Sequence, residues 1–280
     1  MASLNDTLSS VREIFLHRFP WRVALILGVV ALILIWMFFA PEGILGKADA
    51  IGYAVCHRID LRSFHIGDYQ FSVCARCTGQ YLGAVLGLIF LALLRPRRAG
   101  RPPWFVIAIL VLGVGGYALD GFNSFLHLIP FTEKYWLYEP NNTLRLITGT
   151  LMGLGISVML FPAFNQTLWQ RYDRRPVLNG WRDFGGLLAL AGILDLLVLI
   201  ENPVILYPLS LISAAGVLLL LTIVYSMVWI MIFRLENLVE KATQLFYPLL
   251  AGFAVALTQI LVLDALRFSL TGTWGGFPLG

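Results

Sequence analysis

The chain has 280 residues, of which 59% are hydrophobic and 13% are charged, and its mean hydropathy is +0.80. Soluble domains carry roughly 25% charged residues, so this composition excludes an ordinary soluble protein and predicts that lipid surrounds most of the chain. The formal net charge is +4. Because most basic residues lie where membrane insertion places them, no nucleic-acid partner is expected. Membrane lipid is the expected partner, and the sequence identifies no protein partner.

Seven apolar stretches approach the roughly 20 residues that a helix needs to cross a bilayer. Aromatic side chains lie near several of their ends, as in an interfacial belt. The predicted fold class is an all-α integral membrane protein with about seven transmembrane helices. The predicted spans are Trp21–Phe39, Gly79–Leu94, Trp104–Leu119, Leu144–Phe161, Phe184–Ile200, Leu209–Phe233 and Phe246–Leu263.

These spans divide the chain into four regions. A polar N-terminal arm covers residues 1–20, and a membrane core covers 21–162 with a Cys/His loop at 40–78. An interfacial loop covers 163–183, and three further helices cover 184–280. The connections on the side of the N-terminal arm carry 13 Lys and Arg, and the others carry 7, which together account for all 20.

This asymmetry predicts the orientation, because cytoplasmic loops carry the excess of Lys and Arg. We expect the N-terminal arm and the 163–183 loop to be cytoplasmic. The Cys/His loop is then extracytoplasmic. The predicted location is the plasma (cytoplasmic) membrane of a prokaryote.

All three cysteines lie in the segment from residue 56 to residue 79, together with two of the four histidines. A β-hairpin is predicted inside this segment, because Gly67-Asp68 separates two extended stretches and a two-residue Gly-X connection is a hairpin signal. With Ile66 opposite Tyr69, the side chains of Phe64 and Phe71 share one face. The hairpin brings the first Cys/His pair back towards the C-x-x-C motif.

Two Cys/His clusters separated by a dozen or more residues form the outline of a small zinc site. Cys56, Cys74 and Cys77 with His57 would supply a Cys₃His ligand set, and His65 is the alternative fourth ligand. The turn of a C-x-x-C motif can place two sulfur atoms on one face of a tetrahedron. Zinc is therefore the expected cofactor.

Two other interpretations use the same loop. Cys74 and Cys77 lie at a predicted helix N-terminus, where the helix dipole and Arg76 lower a thiol pKa, so a membrane thiol–disulfide or quinone-linked redox protein is an alternative. The loop could also dock a partner in a structural or assembly factor. Three cysteines leave one over after a disulfide forms, which favours a metal or a reactive thiol.

Several short motifs of the chain form one recognisable set: Cys56-His57, Arg62-Ser63-Phe64, Val73–Gly83, Asp120-Gly121 and the Asn142…Arg145…Thr148-Gly149 run. They resemble the signature of a prokaryotic family of predicted membrane proteins, domain of unknown function 2085. The resemblance covers about residues 50 to 155 and implies a membrane location and a shared polar constellation, with no known reaction. The sequence differs from the usual pattern at Arg58, at Ser72 and near Ser124.

A second polar group is predicted at the same membrane level as the cysteines. The third span ends at Asp120, and the fourth begins near Asn142 and Arg145, so these side chains lie on one side of the membrane. Asn123 and Thr148 complete the predicted pocket. Asp120 and Arg145 would offset each other's charge as an ion pair.

This pair has a structural interpretation and a functional one. It could serve only to stabilise the helix ends. Alternatively, Arg145 binds an anionic group such as a phosphate or carboxylate, and Asp120 acts as a base or metal ligand, which makes these two the catalytic candidates. The pocket would then bind or process an anionic lipid head group or a small anion. Common soluble-enzyme motifs are absent from the sequence, so whether the protein is an enzyme stays open.

Glycines repeat at four-residue spacing in the second and fourth spans, at Gly79, Gly83 and Gly87 and at Gly149 and Gly153. Such spacing permits close contact between helix backbones in a membrane. We expect these two helices to pack with their glycine faces together and with the third span nearby.

Overall fold

The computed structural model describes residues 19–129, 131 and 135–277. Most of the predicted N-terminal arm, residues 1–18, lies outside the described residues. The helices are α1 (Phe19–Phe39), α2 (Gly43–Val55), α3 (Ala75–Leu94), α4 (Trp104–Leu126), α5 (Asn142–Leu168), α6 (Trp181–Leu199), α7 (Pro203–Ile232) and α8 (Phe246–Thr271).

Two small sheets accompany the helices. Strands β1 (His65–Ile66) and β2 (Tyr69–Gln70) form an antiparallel hairpin. At the opposite end of the helices, β3 (Arg98–Gly100) and β4 (Asp173–Pro176) pair in parallel. The second sheet was not predicted, because its strands are short and contain arginine, glycine and proline, which give little strand signal.

Within the described part of the chain, six helices are long and apolar enough to cross a membrane: α1, α3, α4, α5, α7 and α8 with its preceding turn. Helix α6 has 19 residues and contains Arg182, Asp183 and Asp195. It nevertheless runs alongside α3 over the same depth. In the first turn of α6, Asp183 accepts a hydrogen bond from Arg95 at the C-terminal end of α3. In the last turn of α6, Val198 belongs to the same apolar cluster as Cys56, which lies near the N-terminal end of α3. The all-α membrane class is confirmed, with six helices that meet the length and hydropathy of a span and α6 packed beside them.

Helices α3 and α5 pack through their glycines, as predicted. A Cβ placed on Gly79 would lie 2.2 Å from the Leu146 carbonyl oxygen, and one on Gly149 would lie 2.1 Å from the Arg76 carbonyl oxygen. These distances are shorter than any real carbon–oxygen contact, so only glycine permits this approach. The close contact fixes the first turn of α3, which carries the C-x-x-C motif, against the first turns of α5.

Helix α2 was missed because its 13 residues are too few for a span and include Lys47 and Asp49. The helix is nonetheless well buried. Ala48 and Ile51 pack against Ala214 of α7 and other apolar side chains near the middle of α7 and α8. Helix α2 therefore lies within the bundle and delivers Cys56 at its C-terminal end.

One end of the bundle, which we call the cysteine end, collects the polar loops. The first turns of α3 and α5 and the last turn of α4 meet there beneath the β1–β2 hairpin. The Asn141 side chain caps α5 by accepting a bond from the Leu144 amide at 2.7 Å. This cap fixes where α5 begins and so positions Asn142 and Arg145 beside the loop.

Candidate functional site: a cysteine cluster beside an arginine cluster

The hairpin forms in the predicted register, with Ile66 opposite Tyr69. Gly67 adopts a φ of +63°, a conformation that glycine accepts without strain. Phe64 and Phe71 are 3% and 0% exposed and pack with Cys56 in one apolar cluster. The hairpin thus lies flat on the helix ends and covers the cysteines.

The three cysteines converge. The sulfur atoms of Cys56, Cys74 and Cys77 all lie within 4.8 Å of one another. Cys56 and Cys74 are 6% and 3% exposed, and the Cys74 backbone N–H donates to Cys56 Sγ at 3.3 Å. A thiol from the end of α2 therefore meets two thiols from the start of α3, although Cys56 lies 18 positions before Cys74.

The two thiols outside the spans have opposite pKa shifts. Hydrogen bonds from the Cys74 and Cys77 thiols lower the pKa of Cys56 well below its usual value, against burial, which raises it. The bond that the Cys74 thiol gives to Cys56 raises the pKa of Cys74 to about 12. Cys56 is therefore the more acidic of these two thiols, and a thiolate there would accept hydrogen bonds from its two neighbours.

Neither predicted histidine belongs to the convergent group of the described residues. His57 Nδ1 accepts a hydrogen bond from the Ile59 backbone N–H at 3.0 Å. A neutral ring that accepts at Nδ1 carries its proton at Nε2. Neither nitrogen of His57 therefore has a free lone pair for a metal ion at the three sulfur atoms. His65 is turned towards Asp60, with its Nε2 at 3.0 Å from the carboxylate.

The predicted pairing of Asp120 with Arg145 is wrong. Asp120, which is 1% exposed, pairs instead with Arg76: Arg76 Nε donates to Asp120 Oδ2 at 2.9 Å, and Arg76 Nη2 bonds to the same oxygen. Tyr138 donates its hydroxyl to Asp120 Oδ1 at 2.9 Å. Arg76 follows Cys74 by two residues on α3, and its side chain reaches across to the last turns of α4.

Three guanidinium groups from three separate elements meet at Ser124. Arg76 Nη2 donates to Ser124 Oγ at 2.9 Å, and Arg145 Nη2 approaches the same oxygen at 3.5 Å. Arg62 Nη2 donates to the Ser124 carbonyl oxygen at 2.8 Å. We call Arg62, Arg76 and Arg145 the arginine cluster. Burial and the charge of Arg76 lower the pKa of Arg62, as expected for a crowded cation.

Arg145 is 5% exposed and is incompletely paired. Its Nη1 donates to Asn142 Oδ1 at 2.9 Å, whereas its buried Nε has no hydrogen-bond partner among the residues described. Asn142 Nδ2 in turn donates to the Leu61 and Ser63 carbonyl oxygens, both at 3.3 Å. Asn142 therefore links the arginine cluster to the loop that precedes the hairpin.

The other two predicted pocket residues have different roles. Asn123 is fully buried, donates to the Tyr138 carbonyl oxygen and accepts from the Leu137 amide, both at 2.9 Å. It therefore fixes the segment that brings the Tyr138 hydroxyl to Asp120. Thr148 donates to the Leu144 carbonyl oxygen of its own helix at 2.9 Å, so its hydroxyl does not join the arginine cluster.

Comparison with known proteins decides the family. The family described as "Predicted membrane protein (DUF2085)" matches residues 56–159. An uncharacterised protein of Methanothermobacter thermautotrophicus is 32% identical over 105 residues, which cover 38% of this chain and 83% of that relative. The chain belongs to this family.

An uncharacterised protein of Methanocaldococcus jannaschii agrees, with 29% identity over 125 residues that cover 44% of this chain and 72% of the relative. No solved structure matches the chain. The family match confirms the predicted resemblance, including its approximate bounds. It contains α3, α4 and most of α5, and therefore all the site residues named above from Cys56 to Arg145.

Sequence reasoning missed Arg62, Ser124 and Tyr138 as site residues and assigned Arg76 only an effect on the thiols. Arg62 and Arg76 lie inside the quoted family motifs, so the signal was present for them. Ser124 follows Asp120 by four residues and shares its helix face. Tyr138 gave no local signal, because its role depends on how the 135–141 segment folds back on α4.

Proposed function

We propose that this member of the DUF2085 family is a metal-binding membrane protein, whose three cysteines hold a zinc-like ion next to a pocket for an anionic group. The observation that carries the proposal is the convergence of three sulfur atoms within 4.8 Å. In a tetrahedral zinc site with bonds of about 2.3 Å, neighbouring sulfur atoms lie about 3.8 Å apart. Small movements of side chains would reach that arrangement.

The burial and the number of the thiols favour a metal over a disulfide relay. Cys56 and Cys74 are almost fully buried, and a relay needs thiols that a partner can reach. With three cysteine ligands, a fourth coordination position is left for water or a ligand, which is the arrangement of catalytic rather than structural zinc sites. The arginine cluster is close enough to Cys74 for Arg62 and Arg145 to interact with it electrostatically, and it would attract an anion.

Metal analysis of the purified full-length protein tests the proposal. About one zinc per chain is expected in the purified wild type, with a clearly lower zinc content in Cys56→Ser and Cys74→Ser, because each variant binds the metal more weakly through two sulfur ligands instead of three. The matched control is His65→Ala, which should keep its metal because His65 is turned to Asp60. A metal-free wild type with a Cys74–Cys77 disulfide that cycles with reductant would overturn the metal proposal and favour the redox alternative.

We place the cysteine end outside the cytoplasm, on the support of the Lys and Arg distribution. The exposed variants Asp68→Cys, at the hairpin tip, and Arg101→Cys, at the opposite end, form a matched pair. A membrane-impermeant maleimide applied to intact cells should label the first and spare the second. The reverse labelling pattern would invert the orientation.

A further inference from the structure

We infer that the arginine cluster is a binding site for a doubly charged phosphate group, either free phosphate or a phosphomonoester on a lipid head group. The inference deepens the anion pocket of the proposed function and rests on it, but it does not depend on the metal. It also assigns binding roles to Arg62 and Ser124, which the sequence analysis had not placed in the pocket. Three observations on the described residues carry it.

The first observation is charge. Arg62, Arg76 and Arg145 approach one another closely enough for all three to bond to Ser124. Among the residues that the structure describes, Asp120 is the one carboxylate that pairs with this cluster. Three guanidinium groups against one carboxylate leave an excess of positive charge in a largely buried place, which an anionic phosphate group would neutralise.

The second observation is an unused donor. The buried Nε of Arg145 has no hydrogen-bond partner in the described ranges, although the side chain is 5% exposed. Buried polar atoms are nearly always bonded, so this atom calls for an acceptor. A guanidinium that presents Nε and one Nη together matches the two oxygens of a phosphate.

The third observation is access. Arg62 is half-buried and Arg76 is 16% exposed, so two of the three arginine side chains reach the surface of the cysteine end. Arg145 closes the inner side. An anion arriving at the surface of the cysteine end would therefore meet Arg62 and Arg76 first, and binding to Arg145 Nε would require the side chains that cover it to move.

Binding of inorganic phosphate to the full-length protein in detergent, measured by calorimetry, tests the inference. Arg62→Gln and Arg145→Gln each remove one charge-assisted hydrogen-bonding group, so each should weaken binding about tenfold or more. The matched control is Arg95→Gln, which breaks an arginine–carboxylate pair at the opposite end of α3 and should leave the affinity unchanged. If Arg145→Gln does not fold, Arg62→Gln decides, because Arg62 lies nearer the surface.

A second arm identifies the source of the phosphate. The protein in nanodiscs of phosphatidylcholine with added phosphatidic acid should be stabilised against heat, with the same dependence on Arg62 and Arg145, if a lipid head group is bound. A response to inorganic phosphate alone supports a soluble anion, and a response in either arm supports the inference. No response in both arms, or equal responses in all variants, overturns it.

Metal content, measured on the same samples, separates this inference from the metal proposal. Arg62→Gln should keep its zinc while it loses phosphate. If the protein binds phosphate but holds no metal, the inference about the arginine cluster is supported and the proposed metal centre is refuted.

Discussion

Replacing Asp120 by asparagine should destabilise the protein strongly, because it leaves the mostly buried Arg76 guanidinium without its counter-charge. Asp120 is 1% exposed and accepts bonds from Arg76 Nε at 2.9 Å and from the Tyr138 hydroxyl at 2.9 Å. Removal of one partner from a buried ion pair costs about 3–5 kcal/mol. Asparagine keeps the size and one carbonyl oxygen, so we expect a loss in the lower half of that range.

The control is Asp183→Asn at the opposite end of α3. Its partner Arg95 is 25% exposed, and water can solvate the freed charge, so the cost should be about 1 kcal/mol or less. Unfolding by sodium dodecyl sulfate in mixed micelles, followed by far-ultraviolet circular dichroism, compares the two variants. Equal losses in Asp120→Asn and Asp183→Asn would refute the assignment of Asp120 to a buried pair with Arg76.

Three further predictions concern packing, a buried acid and pH. Gly79→Ala should lower the free energy of unfolding by about 1–3 kcal/mol, because the new Cβ meets the Leu146 carbonyl oxygen. Gly115→Ala is the control and should be neutral or stabilising in the same assay, because Gly115 has open space around it. An unchanged stability in Gly79→Ala would contradict the packing of α3 on α5. Asp264→Leu should stabilise the folded protein by about 1–3 kcal/mol, because Asp264 is fully buried and its oxygens lack hydrogen-bond partners among the described residues. A lower melting temperature in this variant would show that the carboxylate has a stabilising partner. Burial and the bond to Asp120 raise the pKa of Tyr138 to about 12, so folding favours the protonated phenol. The stability that this gives is lost as the pH rises from about 10 to 12. Tyr138→Phe should therefore show a smaller fall in melting temperature over this pH range, and the same fall as in the wild type would contradict the prediction.

The features predicted correctly from sequence are those set by local patterns. Gly67-Asp68 is a local turn signal that sets the pairing of the residues on either side of it, from His65 to Gln70. The hairpin register and the shared face of Phe64 and Phe71 followed from it. The four-residue glycine spacing on α3 and α5 encodes a contact surface directly. Composition alone was enough for the membrane class.

The errors lie where a contact depends on which neighbour a helix face meets. Asp120 was assigned to Arg145 because both lie at helix ends on one membrane side, but Arg76 is closer to α4 once the glycines of α3 and α5 have set the helix spacing. His57 was a reasonable ligand by spacing. Its ring instead accepts a bond from the Ile59 amide, because the chain after Cys56 turns through Arg58, which has a φ of +50°.

X-ray absorption spectroscopy at the zinc edge of the zinc-loaded protein tests the central claim most directly, because it counts the sulfur atoms bound to the metal. The account predicts three sulfur ligands at about 2.3 Å in the wild type and two in Cys56→Ser. A first shell with two or fewer sulfur atoms in the wild type, unchanged in Cys56→Ser, would contradict the meeting of Cys56 with the C-x-x-C turn.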